Sequence, residues 1–455
     1  MKTKTMMQTW ALSLALIVSQ AMAAVTPEEA AKLGSSLTPL GAQKEGNAEG
    51  SIPAWTGGLK QDAAPVTNLF VGDPFAGEKP LFTITAANVG QYKARLSEGQ
   101  VAMFKRYPDT YKIPVYASHR TAANPQNVYD AAKKSALNTQ PADGGNGLLN
   151  FADSRYYAFP IPKSGVEVLW NHLTRYRGLN QKRETVQAVP QVNGSFTIVQ
   201  LNDEIAYPQF MPADAQADAT NILFYYKQEV TAPPRLAGSV TLIHETIDQV
   251  KEPRLAWVYS AGQRRVRRAP QVAYDGPGTA SDGMRTTDNG DLFNGSPDRY
   301  DWKLIGKKEM YIPYNNYRLA SPSLKYADIL KPGHINQDLT RYELHRVWEV
   351  EATLKPGMRN IYAKRHMYID EDTWQAALID HYDGRGQLWR VAEGMAYNDY
   401  ANGVSTYAAQ ALYDLIAGRY LVNALMNESR HGSIYGNAAN LADYTPAALR
   451  SAGIR

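Results

Sequence analysis

Tyr342-Glu343-Leu344-His345-Arg346-Val347-Trp348-Glu349-Val350-Glu351-Ala352-Thr353-Leu354 carries the cleanest alternation in the chain. Successive side chains of an extended segment point to opposite faces of a sheet. Tyr342, Leu344, Arg346, Trp348, Val350, Ala352 and Leu354 would therefore face one way, and Glu343, His345, Val347, Glu349, Glu351 and Thr353 the other. A long, half-buried strand is expected. Lys355-Pro356-Gly357 turns it, residues 361–369 return, residues 374–381 follow, and Asp383-Gly384-Arg385-Gly386 leads into residues 388–391. Turn residues at these intervals predict an antiparallel meander of four strands.

Upstream, residues 184–202 read as a hairpin about Asn193-Gly194, a dipeptide that tolerates the positive φ of tight hairpin turns. Residues 222–226, 240–247 and 255–260 give three more strands, after which residues 275–301 are dense in Gly, Asp, Asn and Pro and predict a long loop or a lid. Helical signals are fewer. Val166, Leu169, Trp170 and Leu173 share one helical face ahead of Gly178, and Val89, Tyr92, Leu96 and Met103 sit close to helical spacing before Pro108. Thr26-Pro27-Glu28-Glu29 and Thr445-Pro446 each read as a helix start. Residues 37–80, rich in Gly, Pro, Asn and Ala, form an extended arm held to the protein by Ile52 and Trp55, which would be costly to leave in water. The expected fold is mainly β (α+β): a large, curved antiparallel sheet or half-open β-barrel with covering helices and an irregular N-terminal arm. The expected divisions are a signal peptide at 1–23, the arm with short helices at 24–160, the β domain at 161–430 and a tail with a short helix at 431–455.

The 455-residue chain begins with Lys2 and Lys4, a short apolar run at 10–18 and small residues at Ala21-Met22-Ala23. That order is the one a signal peptidase reads, and the apolar run is far shorter than the roughly 20 residues that cross a bilayer. Cleavage after Ala23 and export to a bacterial periplasm are expected. Cysteine is absent, which excludes disulfides, thiolate metal sites, a Cys nucleophile and lipid attachment at the cut. Lys and Arg number 48 against 44 Asp and Glu, too near balance to point to a nucleic-acid partner. The 29 Tyr and 8 Trp against 10 Phe suit half-wet grooves, and suit β-strands equally.

Catalytic patterns were sought in turn. His244-Glu245 lacks the second histidine of a helical zinc-protease motif, and neither a G-x-S-x-G elbow, a phosphate-binding loop nor a dinucleotide fingerprint occurs. Asp288-Asn289-Gly290-Asp291 does not keep the spacing of a calcium loop. His366, Asp370, Glu371, Asp372, Asp380, His381 and Asp383 gather around one hairpin. They could do acid–base work or hold a divalent metal, but turn chemistry accounts for them, with Asp370-Glu371-Asp372 as a solvated turn. No cofactor is expected. Arg264-Arg265-Val266-Arg267-Arg268 either meets an anionic headgroup or acidic partner, or protects a sheet edge against aggregation.

Leu37-Thr38-Pro39-Leu40-Gly41-Ala42 and Gly46-Asn47-Ala48-Glu49-Gly50-Ser51-Ile52-Pro53-Ala54-Trp55-Thr56-Gly57-Gly58 resemble the N-terminal signature of an uncharacterised family of proteobacterial periplasmic proteins, related to the LolA/LolB lipoprotein carriers. Residues 114–122 (Pro-Val-Tyr-Ala-Ser-His-Arg-Thr-Ala) and Leu255-Ala256-Trp257-Val258-Tyr259 resemble further blocks of it, the latter also similar to outer-membrane lipoprotein-sorting proteins. The resemblance implies a half-open barrel closed by helices, holding an acyl chain in its concave cavity. It also implies an outer-membrane β-protein and a resistance-nodulation-division transporter as partners, and it brings no catalytic residues. The expected function is a non-enzymatic carrier of a hydrophobic, lipid-like ligand, with Trp257, Tyr259, Trp348, Trp374 and Trp389 as ligand contacts and residues 282–297 as a gate. Arg264, Arg265, Arg267 and Arg268 would meet a partner or headgroup. The alternatives are a structural adaptor of an envelope transport complex and a periplasmic hydrolase built on His366, Asp380 and His381.

Overall fold

The computed structural model describes residues 25–249 and 251–453, so the expected signal peptide lies outside the described residues. Most of the chain's extended segments join one sixteen-stranded sheet. Its strands, numbered in chain order, are β1 Phe82–Ile84, β2 Ile113–Val115, β3 Gln181–Ala188, β4 Ile198–Ala206, β5 Ile222–Ala232, β6 Val240–Thr246, β7 Leu255–Ser260 and β8 Arg265–Arg268. The second half supplies β9 Tyr300–Pro313, β10 Tyr342–Leu354, β11 Lys364–Asp370, β12 Ala376–Tyr382, β13 Leu388–Asp399, β14 Val404–Asp414, β15 Arg419–Leu425 and β16 Ile434–Tyr435. The spatial order is β8-β7-β6-β5-β4-β3-β15-β14-β13-β12-β11-β10-β2-β1, with β9 also on β10 and β16 also on β3. Pairing is antiparallel except between β10 and β2, where Tyr342 meets Val115 in parallel, and the sheet does not close.

The expected meander is present and longer than the alternation suggests, since β14 and β15 extend it. Val350, Met367, Ile379, Ala392, Leu412 and Leu421 stand opposite one another across six strands and are buried in one core. On the reverse face Tyr368, Leu378, Glu393, Ala411 and Val422 form the matching row, also buried. Strands covered on both faces lose the apolar–polar alternation, and in β14 three alanines, weak strand formers, interrupt the centre of the segment. The half-buried strand expected at 342–354 is likewise corrected. From Tyr342 to Val347 every residue is buried, because Glu343 and His345 turn inward onto Arg341 and the Tyr314 ring rather than to water. Strand β9, which follows the loop expected over 275–301, escaped the sequence pattern for another reason. Its register against β10 shifts between Leu304 and Gly306, and the extra residue of a bulge reverses which side chains face inward.

Helices cover the two faces. Helix α1, Glu98–Arg106, begins in a capping box of Ser97 and Gln100. Its start lies against Asp380 of β12, which accepts the Gly99 N–H at 2.9 Å and the Ser97 hydroxyl at 3.0 Å. A Cβ at Gly99 would fall 2.1 Å from the Asp380 carboxylate, so only glycine permits this approach. Helix α2, Gln126–Asn138, and α3, Gly165–Thr174, buried at every position but Val166, pack into the core of the opposite face.

The N-terminal arm is clamped by the acidic turn after β11. Asp370, Glu371 and Asp372 are buried, so the solvated turn expected from sequence is corrected. Asp372 takes both Nε and Nη2 of Arg120, at 2.8 and 2.7 Å, and Arg120 also donates to the carbonyls of Gln43, Lys44 and Pro53. Glu371 pairs with Arg346 and Lys307, and Arg346 donates to the Glu45 carbonyl. An extended arm has no partner strand for its carbonyls, and buried carbonyls must find donors. Here guanidinium groups supply them, and the carboxylates offset the buried positive charge. Ile52 is buried as expected, and the Trp55 indole donates to the Ala122 carbonyl.

Candidate functional site

A cavity of about 270 Å³ lies between one end of the sheet and a strap running from Ala269 to Arg299. Cross-strand register builds its floor. Arg183, Asp203, Gln228, Thr241 and Val258 are successive partners across β3, β4, β5, β6 and β7, and all five line it. Leu201, Ile205, Phe224, Ile243 and Val272 add an apolar surface, and the end of α3 contributes Arg175 and Arg177 just beyond it.

Five arginines, Arg175, Arg177, Arg183, Arg254 and Arg285, share the wall with two carboxylates, Asp203 and Asp291. Asp203 accepts from the Tyr226 hydroxyl at 2.7 Å, Gln228 at 2.9 Å, Thr185 at 3.0 Å and Arg183 at 3.3 Å. Burial, then the Asp203 carboxylate, raises the Tyr226 hydroxyl well above its ordinary range, so it stays a neutral donor. Asp291 takes Arg175 at 2.6 Å and Arg177 at 2.9 Å. Burial pushes the Asp291 carboxyl up, but the two arginines outweigh it and hold the group well below the usual carboxylate range. Arg254 is paired with buried Glu245 behind the wall, at 2.6 Å.

The strap is pinned at its far end. Asp288 pairs with Arg365 at 2.6 Å, Asn289 meets the His381 ring at 3.1 Å, and Leu292 and Phe293 are buried in the core. His172 of α3 accepts the Ala376 N–H on Nδ1, which leaves Nε2–H to donate to the strap carbonyls of Asp291 and Phe293. Burial, then the nearby Arg175, pushes its pKa down to about 3, so the neutral ring is the form that makes these bonds. Residues 288–293 are therefore fixed in place, unlike the gate expected over 282–297.

None of the five aromatic residues chosen from the sequence lines this cavity. Trp257 and Tyr259 flank Val258 along β7 and so face the other side, where Tyr259, Tyr444 and Leu449 are buried together. Trp348 stacks on Trp374 with centroids 5.8 Å apart, and the Trp374 indole donates to the Leu40 carbonyl of the arm. Trp389 donates to Asp414 and lies under the Arg390 guanidinium. Arg265, Arg267 and Arg268 are exposed on the edge strand β8, with Arg264 in the preceding turn at positive φ. The cavity residues carry little sequence signal because β3 places the polar Gln181, Arg183, Thr185 and Gln187 on the cavity face, and Asp203 interrupts the apolar face of β4. Arg183 opposite Asp203, inside two hairpin strands, was the available clue.

The carboxylate and histidine cluster does not converge. His381 and Asp380 are neighbours on β12 and face opposite sides, Asp380 being taken up by α1 and His381 lying beside Asn289 of the strap. His366 is bonded to Glu349 at 2.8 Å. His345, Asp370 and Asp372 do bring ligand-type atoms within 4.8 Å of one another. Asp372 already spends both oxygens on Arg120, and His345 bonds Glu343 at 3.0 Å, so these groups belong to the arm clamp. Among the described residues no helix is long and apolar enough to cross a membrane.

An uncharacterized Pseudomonas aeruginosa protein, PA3922, is 61% identical over 454 residues, covering 100% of this chain and 99% of its own. Among solved structures, a DUF1329 family protein from Desulfovibrio piger aligns with TM-score 0.41 and 15% identity over 60% of this chain and 92% of its own. A putative outer membrane lipoprotein-sorting protein domain from Vibrio parahaemolyticus aligns with TM-score 0.44 and 12% identity over 63% of this chain and 98% of its own. Residues 83–450 match the sequence profile described as a protein of unknown function, DUF1329, and the chain belongs to that family.

Proposed function

We propose that this protein binds and carries a lipid-like ligand in the cavity beneath the strap, in the periplasm, in company with an outer-membrane partner or transporter. The cavity itself carries this reading: about 270 Å³, close to the lower end of small-molecule sites, with an apolar patch of Leu201, Ile205, Phe224, Ile243 and Val258 beside a polar wall. Burial of an alkyl chain there contributes roughly 0.8 kcal/mol per CH₂. The scattered positions of His366, Asp380 and His381 favour binding over hydrolysis. The signal-peptide reading of residues 1–23 and the absence of cysteine support a periplasmic protein without its own lipid tether.

The test has two parts. Lipid extracted from protein purified out of its own periplasm is identified by mass spectrometry, and uptake of the neutral dye N-phenyl-1-naphthylamine is measured on delipidated protein. Val258→Trp, which fills the floor, is expected to abolish uptake while leaving the circular dichroism spectrum unchanged. Wild-type protein that holds no lipid, and takes up dye no better than the variant, overturns the reading. The exposed arginines of β8 favour a second reading, a structural adaptor docking through that edge, which the same negative result would leave standing.

A further inference from the structure

Arg285 differs from the other cavity arginines. Among the described residues no carboxylate lies within 4.0 Å of its guanidinium, and no hydrogen bond or ring contact engages it, whereas Arg175, Arg177, Arg183 and Arg254 are all in ion pairs. Its backbone, in contrast, is tightly held. Its carbonyl accepts the Gly278 N–H at 2.9 Å and the Ser281 hydroxyl at 3.1 Å. Gly278 packs so closely that a Cβ there would sit 3.0 Å from Arg285 Nε. The strap thus presents a fixed cation to the cavity and gives it no partner.

The groups around it have no charge to spare. Arg285 and Arg183 both line the cavity, Arg183 opposite Asp203 on the floor, and the charge of each bears on the same pair, Asp203 and Tyr226. Asp203 already accepts four hydrogen bonds and Asp291 is shared by two arginines. Arg183 gives only its Nε to Asp203. Arg285 is half-buried, its Nε is buried without a partner, and burial lowers its pKa, so an anion at this point would offset a real cost. The forked donors of the guanidiniums that line the cavity match a carboxylate or a phosphate.

We infer that the ligand is anionic at one end, a single-chain amphiphile whose carboxylate or phosphate sits between Arg285 and Arg183 while its alkyl chain lies on the apolar patch. This inference rests on the cavity being the binding site. It adds the charge of the ligand and the residue that reads it.

The experiment compares 11-(dansylamino)undecanoic acid with its uncharged methyl ester, by fluorescence titration of the delipidated full-length mature protein. Wild type is expected to bind the acid at least tenfold more tightly than the ester. Arg285→Met is expected to erase that preference while changing ester affinity less than twofold, and Arg285→Lys to keep part of it. Because the cation lacks a partner in the ligand-free protein, Arg285→Met should leave the urea midpoint equal or higher, which separates a ligand-reading role from a structural one. Dodecyl phosphate and dodecanoate as competitors decide which head group is preferred. Equal affinity for acid and ester, or a preference that survives Arg285→Met, overturns the inference and leaves the cavity reading intact. Uptake of neither probe by the wild type overturns both.

Discussion

Replacing Arg120 with Met should cost the protein about 4 kcal/mol and release its N-terminal arm. The side chain is 2% exposed and its carboxylate partner, Asp372, 3%. Arg120 makes two bonds to Asp372 and three to arm carbonyls at Gln43, Lys44 and Pro53. Removing one member of a buried ion pair costs about 3–5 kcal/mol, chiefly by stranding the other charge. Neutral hydrogen bonds are each worth about 1 kcal/mol, and the arm carbonyls can reach water once the arm lifts, so the stranded Asp372 dominates. Arg120→Lys keeps the charge and loses the fork, and should cost about half as much. In the double variant Arg120→Met/Asp372→Asn the stranded charge is gone, so the two losses should fall short of additive by about 2 kcal/mol. Urea unfolding measures the global cost, and hydrogen exchange of residues 43–55 measures release of the arm. An Arg120→Met protein within about 1 kcal/mol of wild type, with the arm still protected, would refute the clamp.

Asp380 is buried against α1, and burial pushes its pKa up to about 7. Its unfolded value is about 3.9, so the folded state holds the proton longer and stability falls as pH rises between those values, by at most about 4 kcal/mol. Asp380→Asn has no proton to lose. Its stability relative to wild type should therefore rise between about pH 4 and pH 7, and a pH-independent difference in urea midpoints would count against this. On the edge strand, Arg265→Glu/Arg267→Glu should abolish sedimentation with anionic phosphatidylglycerol vesicles while dye uptake in the cavity is unchanged. Persistent vesicle binding in the double variant would remove β8 as the contact surface.

Much of the architecture was legible locally. Alternation in 342–354, the Asn193-Gly194 turn, the Asp383–Gly386 turn and the helical face at 166–173 all predicted elements that form, since each depends on dihedral preference and side-chain period within a few residues. What failed did so where an environment on both faces hides the period, as in β14, or where a bulge shifts it, as in β9. Trp257 and Tyr259 lie on a strand that lines the cavity but on its opposite face, because period two tells which residues share a face but not which face meets the cavity.

From its sequence alone the chain could be read as a mainly β, cysteine-free protein whose arm must pack down, since composition and short-range pattern suffice for that. The tertiary structure alone decided that Asp370, Glu371 and Asp372 are buried rather than a solvated turn, with Glu371 and Asp372 anchoring the arm, and that Arg285 lacks the partner its neighbours have. Both depend on which charges meet across tens to hundreds of residues, and the energy of a charge is set by its surroundings in space and not by its neighbours in the chain.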